Sequence, residues 1–130
     1  MAELPQALGN LLTLEENAQI DQTLLPSRDR FSIRLTTYCW RYLQGVSASL
    51  DRSIETLQPD QILAWVEADD QLHNNAQVDP EFIAWFSHLL ASSLKPLRAI
   101  AEQRGTPINH LALEQVIDWF VQNSSAEHQH

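Results

Sequence analysis

Five histidines and one cysteine are the side chains of this sequence that could transfer protons, bind a metal or act as nucleophiles near neutral pH. Their spacing argues against such chemistry. His73 falls in a polar stretch, His88 in a helical one, His110 in a connector, and His128 and His130 near the end. No two histidines sit four residues apart on one helix, the spacing that lets a helix present a pair of metal ligands. The pair His128 and His130 could hold a transition metal only loosely. Cys39 lies on an apolar helix face, where a cysteine acts as a small hydrophobe. A reactive thiol needs exposure and a nearby cation, and Arg34 and Arg41 point elsewhere around the helix. The chain has no glycine-rich phosphate loop, no Gly-x-Ser-x-Gly elbow and no Cys-x-x-Cys pair. Two carboxylates could do acid–base work only if the fold brings them together. The residues therefore point away from an enzyme, with no catalytic residue, cofactor or metal expected.

Charge is the sharper signal. All eight basic residues lie in two stretches: Arg28, Arg30, Arg34, Arg41 and Arg52, then Lys95, Arg98 and Arg104. Residues 27–54 carry five positive and two negative charges, whereas 55–81 carry seven negative and none positive. At 100° per residue, Arg30, Arg34 and Arg41 fall within about 40° of one another, off the apolar face. Trp40 borders that stripe beside Ile33. Arg30, Arg34, Arg41 and Trp40 form a candidate docking face for an acidic protein partner, because arginine and tryptophan dominate interface energies. Two other outcomes are open. A neighbouring element covers Trp40, or acidic residues of 55–81 fold back and neutralise the stripe.

These residues must be positioned by helices. Apolar residues recur every three or four positions, and no alternating run suggests a strand. Thr13 with Glu16 makes a capping box for a helix over 14–24, ended by Pro26. Ser27 caps a long helix over 28–52, whose face is Phe31, Leu35, Cys39, Tyr42, Val46 and Leu50. Pro59 opens a short helix to Ala68. A polar loop, with Asn74 and Asn75, fills 69–78. Asp79 and Pro80 start a second long helix, which Pro96 should kink or split near Ser92 and Ser93. Gly105 caps its end. A last helix spans 113–122, and 123–130 reads as a disordered tail. The fold class is all-α, a small bundle with an N-terminal segment 1–26 and one helical domain over 27–122.

That domain reads as a tandem duplication of a long-helix, short-helix unit, about 27–68 and 80–122. Residues 26–67 laid on 80–121, an offset of 54, give seven identities: Pro26/Pro80, Leu35/Leu89, Leu43/Leu97, Ile54/Ile108, Leu57/Leu111, Gln61/Gln115 and Trp65/Trp119. Since 54 residues are fifteen turns at 3.6 each, two amphipathic helices could match by phase alone. The match nevertheless crosses a connector in register and pairs two tryptophans. Trp65, Trp85 and Trp119 read as core. Two such units would share one core about a pseudo-two-fold axis.

The 130 residues suit a single domain. One cysteine allows no internal disulfide, and the N-terminus lacks the basic-then-apolar pattern of a signal peptide. The longest uncharged stretch, Phe82 to Leu94, is shorter than the ~20 residues of a membrane span. A cytoplasmic protein with no membrane partner is expected. The net charge of −9 argues against nucleic acid, whose affinity comes mainly from neutralised phosphates. A helix–turn–helix over Ala101–Leu111 would present Asn109, His110, Glu114 and Asp118, without a cation. The expected function is a protein-interaction module: an adaptor, assembly factor or regulatory subunit. The alternatives are a small-molecule or pigment-binding domain with a pocket between the repeats and, behind it, a DNA-binding regulator.

Overall fold

The computed structural model describes residues 13–73 and 79–128, and all regular structure among them is helical. The stretch 1–12, the asparagines of the loop and His130 lie outside these residues. Helix α1 (Leu14–Asp21) starts with the expected capping box: Glu16 N donates to Thr13 Oγ1 at 3.1 Å and Thr13 N to Glu16 Oε1 at 3.0 Å. It stops short of residue 24 because Thr23 donates to Ile20 O through both its amide and its hydroxyl. Helix α2 (Ser27–Leu50) is capped by Pro26 rather than Ser27; the Pro26 carbonyl accepts from the amides of Asp29 and Arg30. A 3-10 turn (Ile54–Thr56) and helix α3 (Pro59–Ala68) follow. A short α4 (Asp70–His73) occupies part of the expected polar loop and buries Leu72.

Helix α5 (Pro80–Arg104) begins at the expected Asp79 cap, whose carboxylate accepts from Phe82 N at 2.8 Å. Pro96 does not split it. The carbonyl that loses its donor belongs to Ser92, which is exposed, so water can take the donor's place. After Gly105 come a second 3-10 turn (Ile108–His110) and α6 (Leu113–His128). Helix α6 runs six residues past the expected end at 122 and takes in most of the stretch read as a disordered tail. No glycine or proline lies beyond Pro107 to stop it, and Asn123 Nδ2 caps Trp119 O at 2.7 Å.

The element boundaries recur at an offset of 54. Leu50 answers Arg104 as the last residue of a long helix, the two 3-10 turns coincide, and α3 and α6 begin at equivalent positions. Local bonds recur with them. Arg52 N donates to Ser47 O as Thr106 N does to Ala101 O, and Gln61 Oε1 accepts from Gln58 N as Gln115 Oε1 does from Ala112 N. Both long helices end on a residue in the left-handed region, Asp51 (φ 53°) and Gly105 (φ 62°).

Packing crosses between the units. Helix α3 packs chiefly on α5, and α6 packs on α2 as well as on α5. Each short helix thus covers the other unit's long helix, and one core results, with Cys39, Trp40, Leu43, Ile62, Phe86, Leu90, Leu97 and Val116 among its members. Burying such side chains contributes roughly 1.5–3 kcal/mol each. A smaller cluster of Ile20, Ile33, Leu113 and Ile117 seats α1 on α2 and α6.

Where the units meet, the bonds are reciprocal. Ile54 N donates to Asn109 Oδ1 at 3.1 Å, and Ile108 N donates to Glu55 Oε2 at 3.0 Å. Gln44 Nε2 donates to Asn109 O at 3.4 Å, and Arg98 Nη2 to Glu55 O at 3.0 Å. Every partner in each pair maps to its counterpart at offset 54.

The left-handed caps yield a test. An L-residue pays a steric cost there that glycine avoids. Asp51→Gly, which copies the second unit, should stabilise the protein by about 0.5–1 kcal/mol and Gly105→Asp destabilise it by a similar amount, as read from denaturant midpoints.

Candidate functional site

The arginine stripe is real, but its partners lie within the chain. Helix α1 runs antiparallel to α2 and meets the stripe with its acidic residues. Arg41 pairs with Glu16, and Arg34 pairs with Asp21 while its Nε donates to Asn17 Oδ1 at 3.0 Å. Arg30 lies 4.0 Å from Asp21 and donates to Ser27 Oγ at 3.0 Å. The neutralising carboxylates therefore come from the segment before α2, not from residues 55–81. Between these pairs Ile20 is fully buried against Ile33, Leu113 and Ile117. The stripe is a seat for α1.

Trp40 is covered. It is 2% exposed, its Nε1 donates to Ile108 O at 3.0 Å, and the Arg41 guanidinium carbon sits 5.0 Å from its ring centroid. The candidate docking set thus comes together in space, but Trp40 belongs to the joint between units and the arginines to the α1 clamp. Trp65, Trp85 and Trp119, read as core, do pack against it, each half-buried at its edge. Trp65 and Trp119 do occupy equivalent positions. Each edges a surface groove, that at Trp65 holding about 470 Å³ beside Tyr42, Gly45 and Asp69, that at Trp119 about 580 Å³ beside Pro96 and Asn123.

Cys39 is buried and has its thiol pushed up to about 12, because burial disfavours the thiolate more than its hydrogen bond with Ser93 favours it. It stays protonated at neutral pH and is no nucleophile. The Tyr42 hydroxyl donates to Asp69 Oδ2 at 2.6 Å; burial, then this bond and the Asp69 charge, raise it above the ordinary phenol range. His88 and His110 are exposed. Among the described residues no three of His, Cys, Asp and Glu gather to hold a metal ion, and no helix is long and apolar enough to cross a membrane.

The stretch resembling a helix–turn–helix is the connector between α5 and α6, whose 3-10 turn packs on that of the first unit. Asn109, read there as a residue facing DNA, accepts from Ile54 N through its side chain, and its Nδ2 donates to Ser47 Oγ at 3.0 Å. The joint itself is filled by Trp40, Ile54, Leu57, Ile108 and Leu111, and beside it a surface pocket of about 530 Å³ lies between Glu55 of one unit and Arg98, Glu102 and Pro107 of the other.

Sequence reasoning missed Glu55 and Asn109 as the inter-unit bonds, and Glu16 and Asp21 as the partners of the stripe. Glu16 was legible only as a cap, a role it keeps through Oε1 while Oε2 meets Arg41. Alignment at offset 54 places Glu55 against Asn109, two acceptors of similar reach, which is the signal that could have found them.

The described residues make an all-helical module. A family model described as NDH complex assembly factor CRR9 matches residues 12–127, so the chain belongs to that family. No curated protein and no solved structure matched the chain.

The α1 clamp can be tested directly. Partly exposed ion pairs contribute about 1 kcal/mol or less each, but reversing both cations would leave Glu16 and Asp21 facing like charge. Arg34→Glu with Arg41→Glu should raise amide exchange across residues 18–21 to near the unprotected rate while α2, α3 and α5 stay protected. Unchanged protection in α1 would mean that Ile20 alone holds it.

Proposed function

We propose that this chain is a non-catalytic assembly factor that binds protein components of the NDH complex while that complex is put together. The match of the assembly-factor family over 12–127, nearly the whole described chain, carries this reading. The chemistry supports it. The thiol is protonated and buried, the exposed histidines stand apart, and the arginines that could have bound a substrate anion hold α1. Proteins that act by contact need a rigid frame with surface left over, which two interlocked units supply. In the same reading the units descend from one ancestral unit by tandem duplication, as their shared boundaries, bonds and burial suggest, and the protein works in the cytoplasm.

The test is genetic and biochemical. Removing the gene from its host should deplete the assembled NDH complex on native gels, with partly assembled material left behind. Supplying the chain in trans should restore it. A deletion strain with normal amounts of intact complex would refute the proposal.

A further inference from the structure

Gly45 lies inside α2, and nothing within the molecule calls for a glycine there. Gly105 is explained by its left-handed φ, whereas Gly45 has ordinary helical backbone. A glycine in a helix interior is destabilising relative to alanine, because it has more conformational freedom to lose. Close packing does not require it either. Among the described residues, a Cβ built at Gly45 would meet nothing within 4 Å beyond its own stretch of helix, and the residue is exposed. The open space beside it is the groove of about 470 Å³ at Trp65. Tyr42, Val46 and Trp65 line that groove, together with the carboxylates of Asp69 and Asp70. Arg41 lines it as well, with its guanidinium paired to Glu16. At offset 54 the glycine is Ala99 and the two aspartates are Asn123 and Ser124. The frame is thus built in the second unit without the glycine or the charges.

We propose that this groove binds a basic segment of a protein partner, through a lysine or arginine side chain laid between Gly45 and Trp65. The aliphatic stem of such a side chain suits Val46 and the Trp65 ring. Its cation suits Asp69 and Asp70, and an indole face adds its own attraction for a cation. The absence of a Cβ at Gly45 lets the segment come close to α2. Charge selects the occupant. The stretch 55–81, which supplies Trp65, Asp69 and Asp70, carries seven negative charges and none positive, so it steers a basic segment to the groove and repels an acidic one. This assignment rests on the assembly-factor reading and names the chemistry of the partner that the reading requires.

Two rival occupants are disfavoured on the same ground. Residues 1–12 of the chain join α1 near Glu16, the partner of Arg41, but their only charged side chain is Glu3, which does not complement two aspartates. A second copy brings a net charge of −9 to a chain that carries −9 itself.

Two measurements decide the matter. In the first, the full chain is titrated by NMR with a short synthetic peptide of lysine, leucine and alanine, and separately with one in which glutamate replaces lysine. The lysine peptide alone should shift Tyr42, Gly45, Asp70 and the indole N–H of Trp65. Gly45→Leu, which fills the groove, and Asp70→Lys, which reverses a charge, should each weaken that binding by about tenfold without changing the far-UV spectrum. Asp70 is exposed, so its variant keeps the test sound should Gly45→Leu fail to fold. No shifts at these residues, equal shifts with the glutamate peptide, or undiminished binding by the folded variants would overturn the proposal. Equal shifts from n-butylammonium at the same concentration would overturn it too, since the groove would then take a small amine. So would nuclear Overhauser contacts between the leucines of 1–12 and Trp65 in the free chain, or self-association that Asp70→Lys abolishes, each of which names a rival occupant. In the second measurement, the Gly45→Leu and Asp70→Lys double variant replaces the chain in the deletion strain. Failure to restore the NDH complex is expected. Full restoration by the folded variant would sink the groove while leaving the assembly-factor reading intact, whereas a normal complex in the deletion strain itself would sink the latter.

Discussion

Two backbone amides, those of Ile54 and Ile108, hold the key to how the structure closes. Each opens a 3-10 turn in the interior, where no helix supplies an acceptor. A buried amide without one costs about 1–3 kcal/mol, so an acceptor must come from elsewhere. It comes from the other unit: Asn109 serves Ile54 and Glu55 serves Ile108. Neither unit can satisfy its own turn. The same exchange governs apolar burial, since α3 and α6 each cover the other unit's long helix. Half of this chain would have neither a closed core nor a complete set of hydrogen bonds.

Because the joint uses up Trp40, Asn109 and Glu55, these residues are unavailable for contacts outside the molecule. The arginine stripe is engaged by α1, its three side chains staying part-exposed. Unit one is preceded by α1, which returns to cover its face, and unit two by α4, which buries Leu72.

Much of this was legible in the sequence, and the reasons differ by residue. Caps at Thr13, Asp79 and Gly105 are local chemistry, so they read correctly. The offset of 54, read from a spacing that crosses a connector, is also the offset at which the element boundaries recur; descent of the two halves from one unit is a separate proposal. Ser27 was misjudged because Pro26 can terminate one segment and offer its carbonyl to the next helix. The helix end at 122 was placed too early because polar residues such as Asn123 and Ser124 resemble a tail, though nothing there breaks a helix. The cover over Trp40 and the depth of the half-buried tryptophans were not legible for one reason: a helical wheel shows which residues share a face, not which neighbour will cover that face. The partners of the arginines were legible as charges but not as contacts, since only the antiparallel return of α1 brings Glu16 and Asp21 to them.

The central claim is that the two units close as one structure through their reciprocal amide bonds. Native-state hydrogen exchange of the Ile54 and Ile108 amides measures this most directly. If each depends on the other unit, both should exchange only by global unfolding, with equal protection free energies that match the denaturant-derived stability. If one of the two exchanges readily through local opening while the other stays protected, the units are not closed by these bonds and the account is wrong.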